Sequence, residues 1–410
     1  MGGLSTAELT PIRGRLEAFA DDLFGSLART DQRARGRCYL RGLLLDGRRK
    51  SIEPMAARLG EVHYQALHHF VAVSPWDWRP VRRRLAEVMT AALGPTAWVV
   101  DDTGFPKDGS CSVGVKRQYS GTLGKTANCQ LGVSVNAVTE HASCPLDWRL
   151  FVPESWDEAT MAARRAACHL PEQVHHRPKW QLVLDMLDEL AGWGLRPPVL
   201  LADCGYGDVG EFRGGLDARQ VGYVVEVRAD TSAYPEHVHP TTPAYTGKGR
   251  RPSLRYHHQR CSLKDLALQA GRRACVDLIW RRGSKGLQRG RFLALRVRPA
   301  GVTPRRKARQ DGTELPVRWL LVEWPTGNAA PVKYWLSNLP ERTPIVELVR
   351  LARLRWRVEQ DYRECKGGLG LDHFEGRGWS GWHHHVTLVS VAHGFLTLER
   401  LRSPKLVASA

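Results

Sequence analysis

Two stretches of sequence decide the fold: TAWVVDDTGFP at residues 96–106 and PVLLADCGYGD at residues 198–208. Each contains a short apolar run of the kind that forms a buried strand. The first run ends at Asp101 and Asp102, and the second ends at Asp203. Strands that alternate with helical sequence are typical of an α/β fold. The two stretches therefore predict strands of one sheet, each ending in carboxylates.

Further elements extend this pattern outward. Apolar or alternating runs predict strands at 129–138, 146–152, 223–227, 292–297 and 319–323. Helical spacing predicts helices at 180–190 and 209–216, from Pro344 to about Lys366, and from about Trp382 to Arg400. The order predicts an α/β core with a mixed sheet and flanking helices. Residues 228–340 are rich in Gly, Pro and Arg, which predicts a β-rich basic insertion.

The N-terminal residues 1–95 show helical rather than strand periodicity. Ile12, Leu16, Phe19, Leu23 and Leu27 step by three or four and form one apolar stripe. We therefore predict an all-helical N-terminal domain. It is either a small DNA-binding bundle or a helical scaffold and dimerisation arm, and no residue pattern decides between the two.

The charge favours a polyanionic partner. The chain has 410 residues and a formal net charge of +18, which points to nucleic acid before an anionic membrane surface. Residues 247–310 hold 19 Lys or Arg and only two acidic residues. An ordinary solvated surface mixes signs, so this segment predicts a DNA-facing surface, for which we name Arg250, Arg251, Arg281 and Arg282. The alternative is a basic solubilising or disordered loop, with 303–311 as its most disordered part.

Other classes of protein are disfavoured. The nine cysteines are scattered and never form CxxC, so we expect neither a disulfide framework nor a zinc module. We therefore expect the protein to lie in the reducing cytoplasm. No stretch approaches the roughly 20 apolar residues of a membrane span, and the N-terminus lacks the pattern of a signal peptide. His383, His384 and His385 invite a zinc interpretation, but consecutive residues splay by about 100° on a helix. Contact with DNA phosphate is the alternative for this cluster.

Carboxylates at strand ends suit phosphodiester chemistry. Such groups can hold two divalent cations roughly 3.5–4 Å apart, and hard oxygen ligands suit Mg²⁺. Arg355, Glu359 and Lys366 are spaced by four and seven residues, which places them along one helix face. Glu359 could bind a metal there while the flanking cations contact phosphates. Spacing alone favours the alternative, an ordinary helix with i,i+4 ion pairs.

These residues resemble a known family. The segment RWRVE at 355–359, followed after six residues by Lys366, is similar to the Y-x2-R-x3-E-x6-K signature of bacterial insertion-sequence DDE transposases. DDTGFPK at 101–107 resembles the block with the family's first catalytic Asp, and ADCGYGD at 202–208 resembles the second. The three blocks occur in the family's order, and the resemblance covers about 95–400. The signature's tyrosine position is Ala352 here, which puts a DNA contact in doubt rather than the carboxylates.

The resemblance implies an RNase H-like catalytic core with Asp102, Asp203 and Glu359 as catalytic residues and metal ligands. It implies two Mg²⁺ ions, with Mn²⁺ as a possible substitute, and phosphate contacts from Lys107, Arg355 and Lys366. The implied reaction is cut-and-paste transposition: cleavage at element ends and 3′-OH strand transfer into target DNA. The implied partners are double-stranded DNA, as terminal inverted repeats and target, and a second copy of the chain, with no membrane. The expected location is the bacterial cytoplasm at the nucleoid.

Two choices within the motif blocks need their own argument. Neighbouring strand residues point to opposite faces, so Asp101 and Asp102 are not expected to serve one metal equally. The family pattern places the ligand directly before Thr, which selects Asp102. Asp208 follows Asp203 by five residues, and we expect it to cap the following helix.

The predicted organisation has four segments. Residues 1–95 form the helical N-terminal domain, 96–227 the first part of the core, 228–340 the basic insertion, and 341–410 the C-terminal helices with Glu359. Two alternatives to a transposase stay open. One is a related metal-dependent endonuclease without strand transfer. The other is a catalytically silent, transposase-derived DNA-binding protein, against which the intact carboxylate set argues.

Overall fold

The computed structural model describes residues 6–120, 124–249, 253–283 and 286–403. The chain forms two compact units. Unit 1 comprises Met1–Thr96, Val100–Arg196 and Trp356–Ala410, and unit 2 comprises Ala97–Val99 and Pro197–Arg355. The four predicted segments group the chain differently, because the N-terminal helices fall in the same unit as the helix with Glu359. Their role in DNA binding or dimerisation stays a prediction.

The helices of the described residues include several of only one or two turns. In chain order they are α1 (Thr6–Phe24), α2 (Thr30–Leu44), α3 (Ile52–Leu59), α4 (Tyr64–His68), α5 (Arg79–Leu93), α6 (Ala162–Ala167), α7 (Lys179–Gly192), α8 (Cys204–Gly207), α9 (Gly210–Ala218), α10 (Leu263–Ala270), α11 (Val302–Asp311), α12 (Ile345–Leu354), α13 (Trp356–Gly367) and α14 (Trp379–Arg402). None of them has the length and continuous apolarity that crossing a bilayer requires.

The strands range from two to 14 residues. In chain order they are β1 (Ala97–Pro106), β2 (Lys116–Ser120), β3 (Lys125–Val138), β4 (Ser143–Phe151), β5 (Leu200–Ala202), β6 (Tyr223–Val227), β7 (Ser232–Pro235), β8 (Cys261–Ser262), β9 (Val276–Gly283), β10 (Gly286–Pro299), β11 (Arg318–Glu323) and β12 (Lys333–Ser337). The predicted mixed α/β class is therefore confirmed.

Strand β3 organises the strands of unit 1. Its first part pairs antiparallel with β2, and its second part pairs antiparallel with β4. On its other edge, Lys107 N donates to Asn128 O and Thr96 N donates to Val138 O, each at 2.9 Å. These two bonds show that β1 runs antiparallel to β3. Strand β4 is buried along nearly all of its length, because α5 and α14 pack against it.

Unit 2 carries the longer run of pairings. Strands β5 and β6 are parallel, and β6, β12, β11, β10 and β7 then pair antiparallel in that order. Strand β9 pairs with β10 as a hairpin. The first three residues of β1 belong to this unit, where Trp98 N donates to Val199 O at 2.8 Å.

Two local predictions are wrong, and so is one part of an alternative. Strand β1 continues to Pro106, so Asp101 and Asp102 lie inside a strand rather than at its end. The predicted helix from Pro344 is interrupted at Arg355, between α12 and α13. Residues 303–311, which the alternative of a disordered basic loop took as its most disordered part, lie in helix α11, whose Ala308 is buried in a small apolar cluster.

One buried ion pair ties the N-terminal helices of unit 1 to its strands. Arg82 on α5 is 1% exposed, and its guanidinium donates to Asp147 on β4 at 3.0 Å. The same guanidinium donates to Thr387 Oγ1 on α14 at 2.7 Å. A second cation, Arg149, donates to the other oxygen of Asp147 at 2.6 Å. Three elements of unit 1 therefore share one set of buried charges.

We expect Asp147→Asn to lower the free energy of unfolding by about 3–5 kcal/mol, because it removes one partner from a buried ion pair. Urea unfolding followed by tryptophan fluorescence measures this. The control is Asp22→Asn, which breaks the exposed Arg84–Asp22 pair and should cost less than about 1 kcal/mol. Equal losses for the two variants would contradict a structural role for the buried pair.

Candidate active site

Asp102 lies on β1 with a cation beside it. Its carboxylate accepts a hydrogen bond from Lys179 Nζ, the first residue of α7, at 2.9 Å, and its side chain is 19% exposed. The neighbouring Asp101 behaves differently, since its Oδ1 accepts the backbone N–H of Asp102 at 2.9 Å. The two carboxylates thus have different partners, as their opposite directions on the strand predict.

Helix α13 packs into unit 1 through an apolar and aromatic face. The buried positions follow helical spacing and are Val358, Asp361, Tyr362 and Cys365. Tyr362 Oη lies 2.7 Å from Ser134 Oγ on β3, and Ser143 Oγ donates to Asp361 at 2.6 Å. These contacts fix the rotation of α13 about its axis, and they leave Glu359 exposed in its first turn.

The stripe of α13 that carries Glu359 contacts β1 through its C-terminal end. Residues three, four and seven positions apart share a helix face, so Glu359, Tyr362 and Lys366 form one stripe. Lys366 Nζ donates to Gly104 O on β1 at 2.6 Å. Burial raises the pKa of the Tyr362 phenol, and the nearby charges of Asp101 and Asp102 raise it further. Glu359 is about one helical turn, roughly 5 Å along the axis, from Tyr362, whose phenol is near enough to Asp101 and Asp102 for their charges to raise its pKa.

Asp203 lies in unit 2, directly after β5. It is half-buried and begins the short helix α8, where its Oδ1 accepts the backbone N–H of Gly205 at 2.9 Å. The glycine of this block at 207 is required for packing, because a Cβ there would lie 2.1 Å from the carbonyl oxygen of Glu226. The sequence ADCGYGD thus forms a tight strand-to-helix turn that fixes the Asp203 carboxylate.

The capping role predicted for Asp208 is wrong. The following helix α9 has Val209 at its N-cap and no side-chain cap. Asp208 instead accepts hydrogen bonds from Thr231 Oγ1 at 2.6 Å and pairs with Arg228 at 2.9 Å. It therefore holds the loop after β6 in place, and the helix-capping aspartate is Asp203.

Comparison of the sequence with known proteins shows which family this chain belongs to. A family model described as DDE superfamily endonuclease matches residues 22–287. This chain belongs to that family. The matched residues include Asp102 and Asp203 and end before Glu359. The resemblance to the DDE family is thereby confirmed, and the matched residues contain the first two of the three motif blocks.

The chain is also similar to a probable transposase for the insertion sequence element IS701 from Microchaete diplosiphon. The two are 31% identical over 192 residues, which is 46% of this chain and 47% of the relative. The chain thus spans about half the length of the curated relative it matches.

In this member of the DDE superfamily endonuclease family, the predicted phosphate-binding cations have varied surroundings. Lys107 is partly buried, and its Nζ donates to Phe374 O at 2.5 Å. Burial lowers the pKa of both Lys107 and Lys366. Arg355 lies at the break between α12 and α13, so it does not continue the helix that carries Glu359 and Lys366.

Of the four arginines named in the basic insertion, two can be placed. Arg281 and Arg282 lie on β9, and Arg282 is exposed. Arg250 and Arg251 lie outside the described residues. The assignment of all these cations to DNA phosphates stays a prediction.

The histidine cluster does not face a ligand. His383, His384 and His385 are each no more than 2% exposed, so a direct phosphate contact from them is wrong. His384 lies 2.8 Å from two backbone carbonyl oxygens, and His385 bonds to Tyr39 Oη and Gly370 O. Burial lowers the pKa of His384 and His385 to about 4. These residues pack α14 against the N-terminal helices.

Sequence reasoning missed two side chains of this site. Lys179 lies 77 residues from Asp102 in the chain, and no motif connects them. Tyr362 falls within the late helix, where its helical spacing from Glu359 was a usable signal. Lys179 contacts Asp102 directly, and Tyr362 forms a hydrogen bond with Ser134 on the neighbouring strand β3.

The donor chemistry fits a hard divalent cation. Asp102, Asp203 and Glu359 offer carboxylate oxygens, and each has some solvent exposure, so an ion can reach them with part of its water shell. The described residues hold no cluster of three or more His, Cys, Asp or Glu side chains at metal-binding spacing. The Lys179 ammonium beside Asp102 supplies positive charge at this carboxylate.

We expect Lys179→Met to tighten Mn²⁺ binding to the DNA-free chain by roughly 3- to 10-fold, the factor that corresponds to losing an ion pair of about 1 kcal/mol. The reason is that Lys179 and the cation compete for the Asp102 carboxylate. Isothermal titration calorimetry measures the Kd. Lys333→Met, which removes the partner of Glu226 in unit 2, is the matched control. Unchanged or weaker Mn²⁺ binding in Lys179→Met would exclude this competition.

Proposed function

We propose that this chain is a DNA transposase with an RNase H-like core, in which Asp102, Asp203 and Glu359 bind two divalent ions, Mg²⁺ in the cell. One observation carries the proposal: in a chain of this endonuclease family, the stripe of α13 that bears Glu359 contacts, through Lys366, the strand that bears Asp102. The remaining carboxylate, Asp203, lies in a tight turn after β5. Along the chain, Asp102, Asp203 and Glu359 follow the order of the family's motif blocks.

The reaction we propose has two steps. A water first attacks a phosphodiester at the element end and frees a 3′-OH, and that hydroxyl then attacks a phosphodiester of the target DNA. Bound metal ions would activate the attacking oxygen and offset charge on the leaving oxygen. The chain's own part is to position the groups. Tyr362 and Ser134 fix the rotation of α13, and Lys179 adds a positive charge next to Asp102 that a phosphodiester oxygen can approach.

DNA affinity in this proposal comes from the basic insertion. Residues 247–310 carry 19 Lys or Arg against two acids, and phosphate neutralisation supplies a sequence-independent part of DNA binding. We propose that terminal inverted repeats and target DNA both bind here, that two copies of the chain assemble on DNA, and that the protein acts at the nucleoid. The N-terminal helices supply the alternative DNA path.

One prediction of the proposed function concerns the three carboxylates Asp102, Asp203 and Glu359. Asp102→Asn, Asp203→Asn and Glu359→Gln should each slow cleavage of an element-end duplex at least about a thousandfold, as expected when a charge-stabilising group is lost. Each should keep the DNA Kd within about threefold, because phosphate contacts come from Arg and Lys. Gel-based cleavage and fluorescence anisotropy measure the two quantities.

The matched control is Asp101→Asn, which removes the neighbouring carboxylate of the same strand and should keep most of the activity. An inactive Asp101→Asn with an active Asp102→Asn would overturn the assignment of the first ligand. Strand transfer is tested with pre-cleaved ends and a plasmid target. Joined products support the transposase, whereas hydrolysis alone would favour the endonuclease without strand transfer.

Another prediction of the proposed function concerns the basic insertion, residues 228–340. Replacing both Arg281 and Arg282 with Gln should flatten the salt dependence of duplex binding by about one unit for each lost phosphate contact. The control is Arg83→Gln, which removes an exposed arginine of α5 that pairs with Glu87. If only the control flattens the slope, the DNA path runs over the N-terminal helices instead.

A further inference from the structure

Helix α11 of unit 2 borders a cavity that none of the preceding sites uses. The cavity has a volume of about 240 Å³, and its lining includes Arg255, Arg305 and Arg309. Arg305, Ala308 and Arg309 are three and four residues apart, so they present one face of the helix to it. No acidic residue is part of the described lining.

The acidic groups of this region lie elsewhere. A second cavity of about 340 Å³ is bordered by other residues of α11, and its lining includes Glu211, Asp217, Asp311 and Glu314. Within the described part of the chain, the side chains of Arg255 and Arg309 form no ion pair, and both are exposed. The larger cavity therefore mixes acidic side chains with the cations Arg213, Lys307 and Arg318, whereas the described lining of the smaller one has three arginines and no acidic residue.

The walls of the smaller cavity are held by internal contacts. Tyr234 and Tyr256 stack with ring centroids 4.6 Å apart, and Tyr256 Oη accepts the backbone N–H of Leu315 at 2.9 Å. Arg255 and Thr241 exchange two backbone hydrogen bonds of 2.9 Å. Ala308 is buried in the apolar cluster beneath. The arginines thus extend from a fixed frame rather than from a loose loop.

Three like charges around one cavity repel each other, and an anion would offset that repulsion. The planar guanidinium fork matches the oxygens of phosphate better than an ammonium does. We propose that this cavity binds a backbone phosphate of duplex DNA, with Arg255, Arg305 and Arg309 as its ligands. The identity of the ligand rests on the proposed function, whereas the preference for a phosphate group rests on the cavity itself.

The DNA arm of the test uses the full chain in EDTA, so that cleavage plays no part. Replacing both Arg305 and Arg309 with Gln should flatten the salt slope of duplex binding by about two units. The control replaces Arg306 and Lys307, two exposed cations of the same helix, with Gln and should change the slope by less than about one unit. An unchanged slope in the first variant, or equal flattening by the control, would overturn the proposal.

The phosphate arm uses inorganic phosphate as the probe, followed by ³¹P line broadening. Wild type and the control should bind phosphate, the Arg305/Arg309 variant should not, and saturating duplex should displace it. Phosphate that stays bound in the DNA complex would show that a free anion is the ligand, which overturns the DNA assignment. Thermal unfolding checks that the variant folds. The Arg305→Lys/Arg309→Lys variant should keep the salt slope but bind phosphate more weakly.

These outcomes separate the two proposals. Because binding is measured without divalent ions, Asp102→Asn should give the wild-type slope and phosphate affinity. A chain that never cleaves DNA but shows the slope change would overturn the proposed function and support the phosphate site. A chain that cleaves and joins DNA, but whose salt slope does not change when Arg305 and Arg309 are replaced, would support the proposed function and overturn the phosphate site.

Discussion

One buried cation, the guanidinium of Arg82, holds unit 1 together. It joins α5 to Asp147 on β4 and to Thr387 on α14. Burial lowers its pKa to about 10, which is still far enough above neutrality to keep the charge. Separating α5 from β4 would leave the buried charge of Arg82 without its partner Asp147, at a cost of several kcal/mol. This constraint explains why the N-terminal helices belong to the same unit as the strand with Asp102 and the helix with Glu359.

The same charges connect the core of unit 1 to the proposed reaction centre. Asp147 also pairs with Arg149, and Arg149 pairs with Glu189 on α7. Helix α7 begins at Lys179, whose ammonium lies beside Asp102. Carboxylates can be gathered at one place only when positive charge offsets their repulsion. In unit 1 this positive charge comes from Lys179. Its helix, α7, is held by the ion pairs of Arg149 with Glu189 and Asp147.

The sequence predicted those parts of the fold that local patterns determine. Apolar runs located β1, β3, β4 and β6, because strands buried on both faces are continuously apolar. The break at Arg355 was missed, since the helical period continues across it. The sequence of α11 allowed the alternative of a disordered loop, because Ala308 is the one buried residue of this helix. Lys179 could not be found, because its pairing with Asp102 depends on tertiary packing. The first two motif blocks lie in the part of the chain that matches the family, and Gly207 illustrates the fixed local geometry of the second. The catalytic roles of the three carboxylates stay predictions.

We propose that Asp102, Asp203 and Glu359 bind the same metal ions when the protein is bound to DNA. Fe²⁺ with ascorbate cleaves the polypeptide near a bound iron, so mapping the cuts in the DNA complex by mass spectrometry tests this directly. We expect cuts close to residues 102, 203 and 359 that Mg²⁺ suppresses and Asp102→Asn abolishes. Cuts near only one of these residues, or cuts that persist in Asp102→Asn, would contradict it.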